Sequence, residues 1–196
     1  MPRQTRTLSL AAVAALLALA MTFAGCSPTF NWREVRPDGT RLSLLLPCKP
    51  DKAQKTVPLG GQPTVLAMLG CDAGGATFAV AVADLGDAAK AAPVLAQWQS
   101  LTLANMKAGP RAAGTGPGGT QVVPLKLAGA SAEPAPLLVS AQGQRADGAA
   151  VTGRAAYFAQ GSQVFQVVMY VGATKRDAAP QAVEVAETFF ASLRFE

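Results

Sequence analysis

Apolar and polar positions divide the chain into one long apolar block followed by short runs of strand length. The block is Leu8 to Ala24, broken only by Ser9 and Thr22. Beyond it, strand-length apolar runs, several alternating with period two, predict strands at Phe30 to Val35, Arg41 to Leu46, Ala53 to Leu59, Thr64 to Cys71, Thr77 to Leu85, Gln121 to Leu127 and Leu137 to Gln142. Pro37-Asp38-Gly39, Gly60-Gly61 and Asp72-Ala73-Gly74-Gly75 separate the first five and suit tight turns. In Thr77 to Leu85 the faces differ: Phe78, Val80 and Val82 occupy one, and small alanines much of the other. A helix can pack close on such an alanine face. Ala149 to Ala159 and Val164 to Gly172 form the clearest hairpin, turned at Gly161-Ser162. Val164 to Val171 is apolar on both faces except at Gln166, which predicts a central strand covered on both sides.

Two segments follow a three- to four-residue period instead. Ala91 to Lys107 is a predicted helix, with Asp87 and Pro93 at its start and Gly109-Pro110 at its end. Leu95, Trp98, Leu101 and Met106 form its apolar stripe, with Trp98 read as a core anchor. A closing helix, capped by Asp177, directs Val183, Ala186, Phe190 and Leu193 at the core. The elements add up to an α+β fold, a mainly antiparallel β-sheet flanked by helices, in a single domain over residues 30–196.

The apolar block has a different meaning. Met1 to Arg6 carries Arg3 and Arg6 and no acid. The block spans residues 8–24, short of the roughly 20 residues that cross a bilayer comfortably. A basic start, an apolar core and small residues before a cut site are the parts of an export signal, placed here over residues 1–25. Its end, Phe23-Ala24-Gly25-Cys26, resembles the lipobox of bacterial lipoproteins. Ala24 and Gly25 supply the small side chains needed beside the cut, and Phe23 stands where that family usually has Leu. The resemblance implies that Cys26 carries a diacylglycerol on its thiol and a further acyl chain on the new amino terminus. Each buried methylene contributes about 0.8 kcal/mol, so such chains bind the protein stably to a membrane. Residues 26–29 would then be a very short lipidated tether. Ser27 occupies the position where Asp commonly signals inner-membrane retention, which implies the periplasmic face of the outer membrane.

The cysteine count fits this reading. Three cysteines are present, and an acylated Cys26 leaves Cys48 and Cys71 as a pair in an oxidising compartment, where a disulfide is expected. A redox or metal role is the weaker alternative, because the spacing is not Cys-x-x-Cys and the chain has no histidine. Charge is mild, with 17 basic and 12 acidic residues, and the bases are scattered apart from Lys175-Arg176. No basic stripe of the kind that binds nucleic acid is present.

Catalytic signals are weak. Without histidine there is no Ser-His-Asp triad and no His-based zinc site. Ser131, within Gly129-Ala130-Ser131-Ala132-Glu133, lacks the strand and helix of a nucleophile elbow. Gly114, Gly116, Gly118 and Gly119 follow a helix rather than a strand, with no Gly-Lys-Ser/Thr, and read as a connection. Asp84 and Asp87 read as loop and cap residues rather than a hydrolytic or calcium pair. No enzymatic activity, cofactor or metal is expected.

The opening hairpin with Asp38-Gly39, the strand ending at Pro47, the middle helix, the late hairpin containing Tyr157 and the closing Phe189-Phe190-Ala191-Ser192-Leu193 together resemble the PsbP-like superfamily. Its members include an extrinsic photosystem subunit and a Ran-binding nuclear import factor. Leu45 to Ala83 is similar to uncharacterised proteobacterial lipoproteins. The resemblance implies an antiparallel sheet between helical layers, an α/β/α sandwich, and transfers no activity. Two functions follow as expectations. The preferred one is a non-catalytic envelope module that binds a protein partner or stabilises an assembly. The alternative is a periplasmic carrier or sensor of a small apolar ligand. An open apolar cleft beneath the middle helix favours the second, and a filled core with an exposed apolar patch favours the first.

Overall fold

The computed structural model of the protein describes residues 28–109, 119–172 and 179–196. The expected leader, Cys26, most of the Gly-rich connection and Asp177 lie outside the described residues. In chain order the strands are β1 (Arg33–Val35), β2 (Leu42–Leu46), β3 (Asp51–Leu59), β4 (Gln62–Ala73), β5 (Ala76–Asp84), β6 (Gln121–Pro124), β7 (Leu137–Gln144), β8 (Ala150–Gln160), β9 (Gln163–Gly172) and β10 (Arg194–Phe195). The helices are α1 (Ala91–Asn105) and α2 (Ala179–Ala191). The fold is α+β with the sheets dominant.

A seven-stranded sheet runs β3-β4-β5-β9-β8-β7-β6, and every neighbouring pair is antiparallel. β9 is the middle strand, and Val164 to Met169 are all buried, as its two apolar faces predict. A second, three-stranded sheet runs β1-β2-β10.

The two faces of the large sheet carry side chains of different size. On one face Phe78, Val80 and Val82 from β5 join Phe158 of β8 and Phe165 of β9. Leu42, Leu44 and Leu46 of β2 close over them with Phe189 and Phe190 of α2. Phe78 meets Phe189 edge-on at 5.2 Å, and Phe158 stacks on Phe165 at 5.1 Å. Such aromatic pairs add about 0.5–1.5 kcal/mol each beyond area burial. On the other face Ala81, Ala83, Ala155 and Ala159 lie beneath Val94, Leu95 and Trp98 of α1. The alanines let the helix backbone approach the sheet, as the composition of β5 predicts.

Several expectations need correction. α1 ends at Asn105 rather than Lys107, because the Met106 carbonyl accepts a hydrogen bond from the Gln144 backbone N–H at 2.6 Å and Lys107 turns into the left-handed region with φ 48°. Glycine at 143 makes this docking feasible, since a Cβ there would run into the Met106 carbonyl oxygen. Leu101 and Val183, both expected in the core, are 44% and 54% exposed. On α1 the buried side is Ala91, Val94, Leu95 and Trp98, and on α2 it is Val185, Ala186, Phe189 and Phe190. The true stripes are rotated from those read off the sequence. The strand expected to run to Leu127 stops at Pro124, although Leu125 N still donates to the Pro136 carbonyl at 2.9 Å. β10 was not anticipated; it follows α2 directly and brings Phe195 against Phe158 and Phe165.

Cys48, just after β2, and Cys71, in β4, are joined as a disulfide with their Cα atoms 5.9 Å apart. The bond ties the small sheet to the large one across a sequence separation of 23. Loop-closure entropy assigns such a cross-link about 3 kcal/mol. Cys48→Ser combined with Cys71→Ser is expected to lower the unfolding free energy in denaturant by about that amount. In the unreduced protein neither cysteine should react with a thiol reagent; modification of both would contradict the pairing.

Candidate functional site

The site is a consequence of how α1 crosses the alanine face. At its first turns Val94 packs over Gly60, and Gln97 Oε1 accepts from the Gly60 backbone N–H at 2.7 Å. At its last turn Met106 is fastened to Gln144 of β7. The helix is therefore pinned from the β3–β4 turn to the β7–β8 hairpin, a diagonal path over a sheet wider than one helix. The part of the sheet it does not cover becomes the floor of a cleft.

This cleft has a volume of about 690 Å³. Its roof is Trp98, Leu101, Thr102 and Asn105 of α1, with Met106 just beyond its end. Thr77, Gln166 and Tyr170 form the floor. One wall is apolar, with Val57, Pro58, Leu59 and Leu66 from β3 and β4. The opposite wall is Gln144, Arg145, Ala146 and Val151 at the β7–β8 hairpin. Leu101, exposed to solvent, belongs to this rim, which explains why a residue in phase with the helix stripe is not in the core.

The floor carries a small polar network. Gln166 is 9% exposed, and its Nε2 donates to Thr102 Oγ1 at 2.8 Å and to the Tyr157 hydroxyl at 3.0 Å. Thr102 Oγ1 in turn donates to the Trp98 carbonyl at 2.9 Å. A buried amide left without partners costs about 1–3 kcal/mol, so these bonds fix the amide in one orientation. With the nitrogen committed, the Gln166 carbonyl oxygen is the group left to accept from a ligand. Tyr170 stands four residues further along the same face of β9. Burial, with neighbouring Tyr157 adding to it, pushes the Tyr170 phenol up to about 12. Tyr157 is also raised by burial, against the opposing hydrogen bonds to Thr102 and Gln166. Both phenols are therefore neutral near neutral pH, with O–H groups able to donate. Among the described residues lining the cleft there is no Asp or Glu and one cation, Arg145. The Arg145 side chain is 62% exposed and lies 3.7 Å from the Asp147 carboxylate.

This arrangement can hold a molecule; it offers no nucleophile paired with a base. Residues weighed for chemistry in the sequence have structural partners elsewhere. Ser131 N donates to the Ala159 carbonyl at 2.7 Å, and its Oγ accepts from the Gly161 N–H at 3.2 Å, which fastens a loop to the β8–β9 turn. Asp84 accepts from the Gly86 N–H at 2.9 Å and from Ser162 Oγ at 2.7 Å. These bonds, the Gly86 one foremost, hold its carboxyl below the usual range. Asp87 accepts from the Ala89 N–H at 2.9 Å as a cap. Among the described residues no three His, Cys, Asp or Glu side chains converge as a metal site. Cys71 packs on the aromatic face, on the opposite side of the large sheet from the cleft, with Cys48 bonded to it there. Trp98, read as a core anchor, is 7% exposed and serves as both anchor and cleft roof. Thr102, Arg145 and Tyr170 went unnoticed in the sequence; Gln166, the polar interruption of β9, was the one visible signal.

Tyr157 and Tyr170 are the chain's two tyrosines, so their ionisation reads directly in phenolate absorbance. Raised folded values mean that the folded state keeps protons the unfolded state has lost. Stability on this account is intact below the ordinary phenol value of 10.0 and falls as pH rises towards about 12. Phenolate absorbance is expected to appear together with unfolding in that window. Reversible ionisation of both tyrosines near 10.0 in the folded protein would contradict the burial assignment.

No family model matches the chain, and comparison with curated proteins finds no match. Among solved structures, the chain is similar to a Pseudomonas aeruginosa protein of unknown function, with 16% identity and a TM-score of 0.38, over 81% of this chain and 96% of that one.

Proposed function

We propose that the protein is a lipid-anchored component of the bacterial cell envelope that binds a small, largely apolar ligand in the cleft under α1. In this reading residues 1–25 direct export, Cys26 carries the acyl chains on the periplasmic face of the outer membrane, and the domain is a PsbP-like α/β/α sandwich. The sandwich reading draws support from the two coverings of the central sheet, α1 on one face and α2 with the small sheet on the other. The binding reading rests on the cleft itself. Its volume of about 690 Å³ falls in the range of small-molecule sites, roughly 300–1,000 Å³. Its composition also fits, with one apolar wall and a few fixed polar groups at Gln166, Thr102 and Tyr170.

The role is one of binding without catalysis, supported by the lack of histidine in the chain and by the structural partners of Ser131, Asp84 and Asp87. A protein-docking role, preferred from the sequence, would be favoured by a contiguous exposed apolar patch. Among the described residues the large exposed apolar side chains are Val65, Leu101, Val123 and Val183, on four different elements, which gives that role less support than the cleft gives ligand binding.

Native mass spectrometry of the protein purified from membranes in mild detergent tests this reading. A stoichiometric small-molecule adduct is expected on the wild type. Ala146→Trp, at an exposed position on the cleft wall, should lose the adduct with little change in unfolding temperature. An unadducted wild type, together with a protein reproducibly recovered by crosslinking, would return the assembly role to first place. Cys26→Ala should abolish acylation; a variant that still fractionates with the membrane would contradict the acyl anchor.

A further inference from the structure

The polar and apolar parts of the cleft are distributed along the strands in a definite order. Ala73 pairs with Ala76 at the β4–β5 turn, and Ala76 pairs with Val171 near the end of β9. Val151 pairs with Gly172, and Gln144 pairs with Ala150 where β7 turns into β8. Gly75, Gly172 and Arg145 therefore share one end of the large sheet, and all three line the cleft. Leu66 and Leu59 lie further along the strands, towards the β3–β4 turn, with Trp98 above the same alanine face. The cleft runs from a charged end to an apolar interior.

The same sheet end receives the start of the domain. Phe30 packs on Gly74 so closely that a Cβ at residue 74 would run into its ring. Phe30 is only the fourth residue after Cys26, at most about 14 Å away along a fully extended chain. A membrane anchor at Cys26 thus places this end of the large sheet, which also carries Arg145, on the side of the domain nearest the bilayer. The lining holds one arginine and, among the described residues, no acid. Asp147, 3.7 Å from Arg145, lies outside the lining, so an anionic ligand meets no carboxylate on the cleft wall and competes with Asp147 for the guanidinium.

Resting on the anchored-binding reading above, we propose that the ligand is an anionic amphiphile, bearing one carboxylate or phosphate group, that is taken up from the membrane surface. Its charged group lies beside Arg145 at the membrane-facing end, and its apolar body lies against Leu59, Leu66 and Trp98. The Tyr170 hydroxyl, on the floor between these regions, is placed to donate to an oxygen of the head group.

Trp98 and Trp32 are the chain's two tryptophans, so Trp32→Phe leaves Trp98 in the cleft as the reporter. In that background dodecanoate and dodecanol are titrated against emission. An exposed charge pair is worth up to about 1 kcal/mol, so dodecanoate should bind up to about fivefold tighter. Arg145→Gln should abolish that preference and leave dodecanol affinity unchanged. Equal affinity for both probes in the parent would overturn the charged-group assignment while the cleft reading stands. No response to either probe would overturn the cleft reading itself. The source is tested by extracting endogenous amphiphile from the anchored protein and from a Cys26→Ser form exported on a cleavable leader. A lower load on the unanchored form is expected, with equal affinity for added dodecanoate. Equal loading of the two forms would overturn uptake from the membrane and point to a soluble anion of the same chemistry.

Discussion

Everything in this fold depends on the size difference between the two faces of the central strands. Period-two alternation in β5 sends Phe78, Val80 and Val82 to one side and Ala79, Ala81 and Ala83 to the other. The large face needs a thick cover, and β2, α2 and β10 supply it with leucines and phenylalanines. Close packing of that kind leaves little room for anything but protein. On the small face a single helix can come close to the strands, and Gly143 removes the last obstacle where α1 meets β7. One face is thereby committed to stability, and the other has surface to spare.

The spare surface becomes a cleft because α1 is held at both ends. The Gly60–Gln97 bond and the Met106–Gln144 bond set its diagonal, and neither allows it to slide over the exposed floor. The Gln166 amide then acts as a strut between helix and sheet, joining Thr102 of α1 to Tyr157 of β8. Buried polar networks of this sort are costly when broken, so the strut holds the helix at a fixed height. A ligand would enter a space already formed, which lowers the ordering cost of binding.

Much of the fold was legible from the chain because short-range patterns carried it. The alternation in β5, the two apolar faces of β9 around Gln166 and the double-glycine turn at Gly60-Gly61 each report on their own neighbourhood. Patterns that depend on helix orientation were not legible. A three- to four-residue stripe says that Leu101 and Val183 are in phase with buried neighbours, but not how the helix axis tilts over the sheet. β10 is two residues long, too short to carry any period. The cleft was hidden for a related reason: Leu59, Trp98, Arg145 and Tyr170 come from four distant segments, and they meet through a tilt set by the hydrogen bonds at the two ends of α1. Gln166 stood out because a polar residue in a central strand must find partners, and it lies in the floor of the site, bonded to Thr102 above it and Tyr157 beside it.

The most direct test of this account is a crystal structure of the protein isolated from its own cells with no ligand added. The account predicts continuous density for an organic molecule between Trp98 and Tyr170, within hydrogen-bonding reach of the Gln166 carbonyl or the Tyr170 hydroxyl. A cleft closed by α1 settling onto the strands, or one holding ordered water alone, would contradict it.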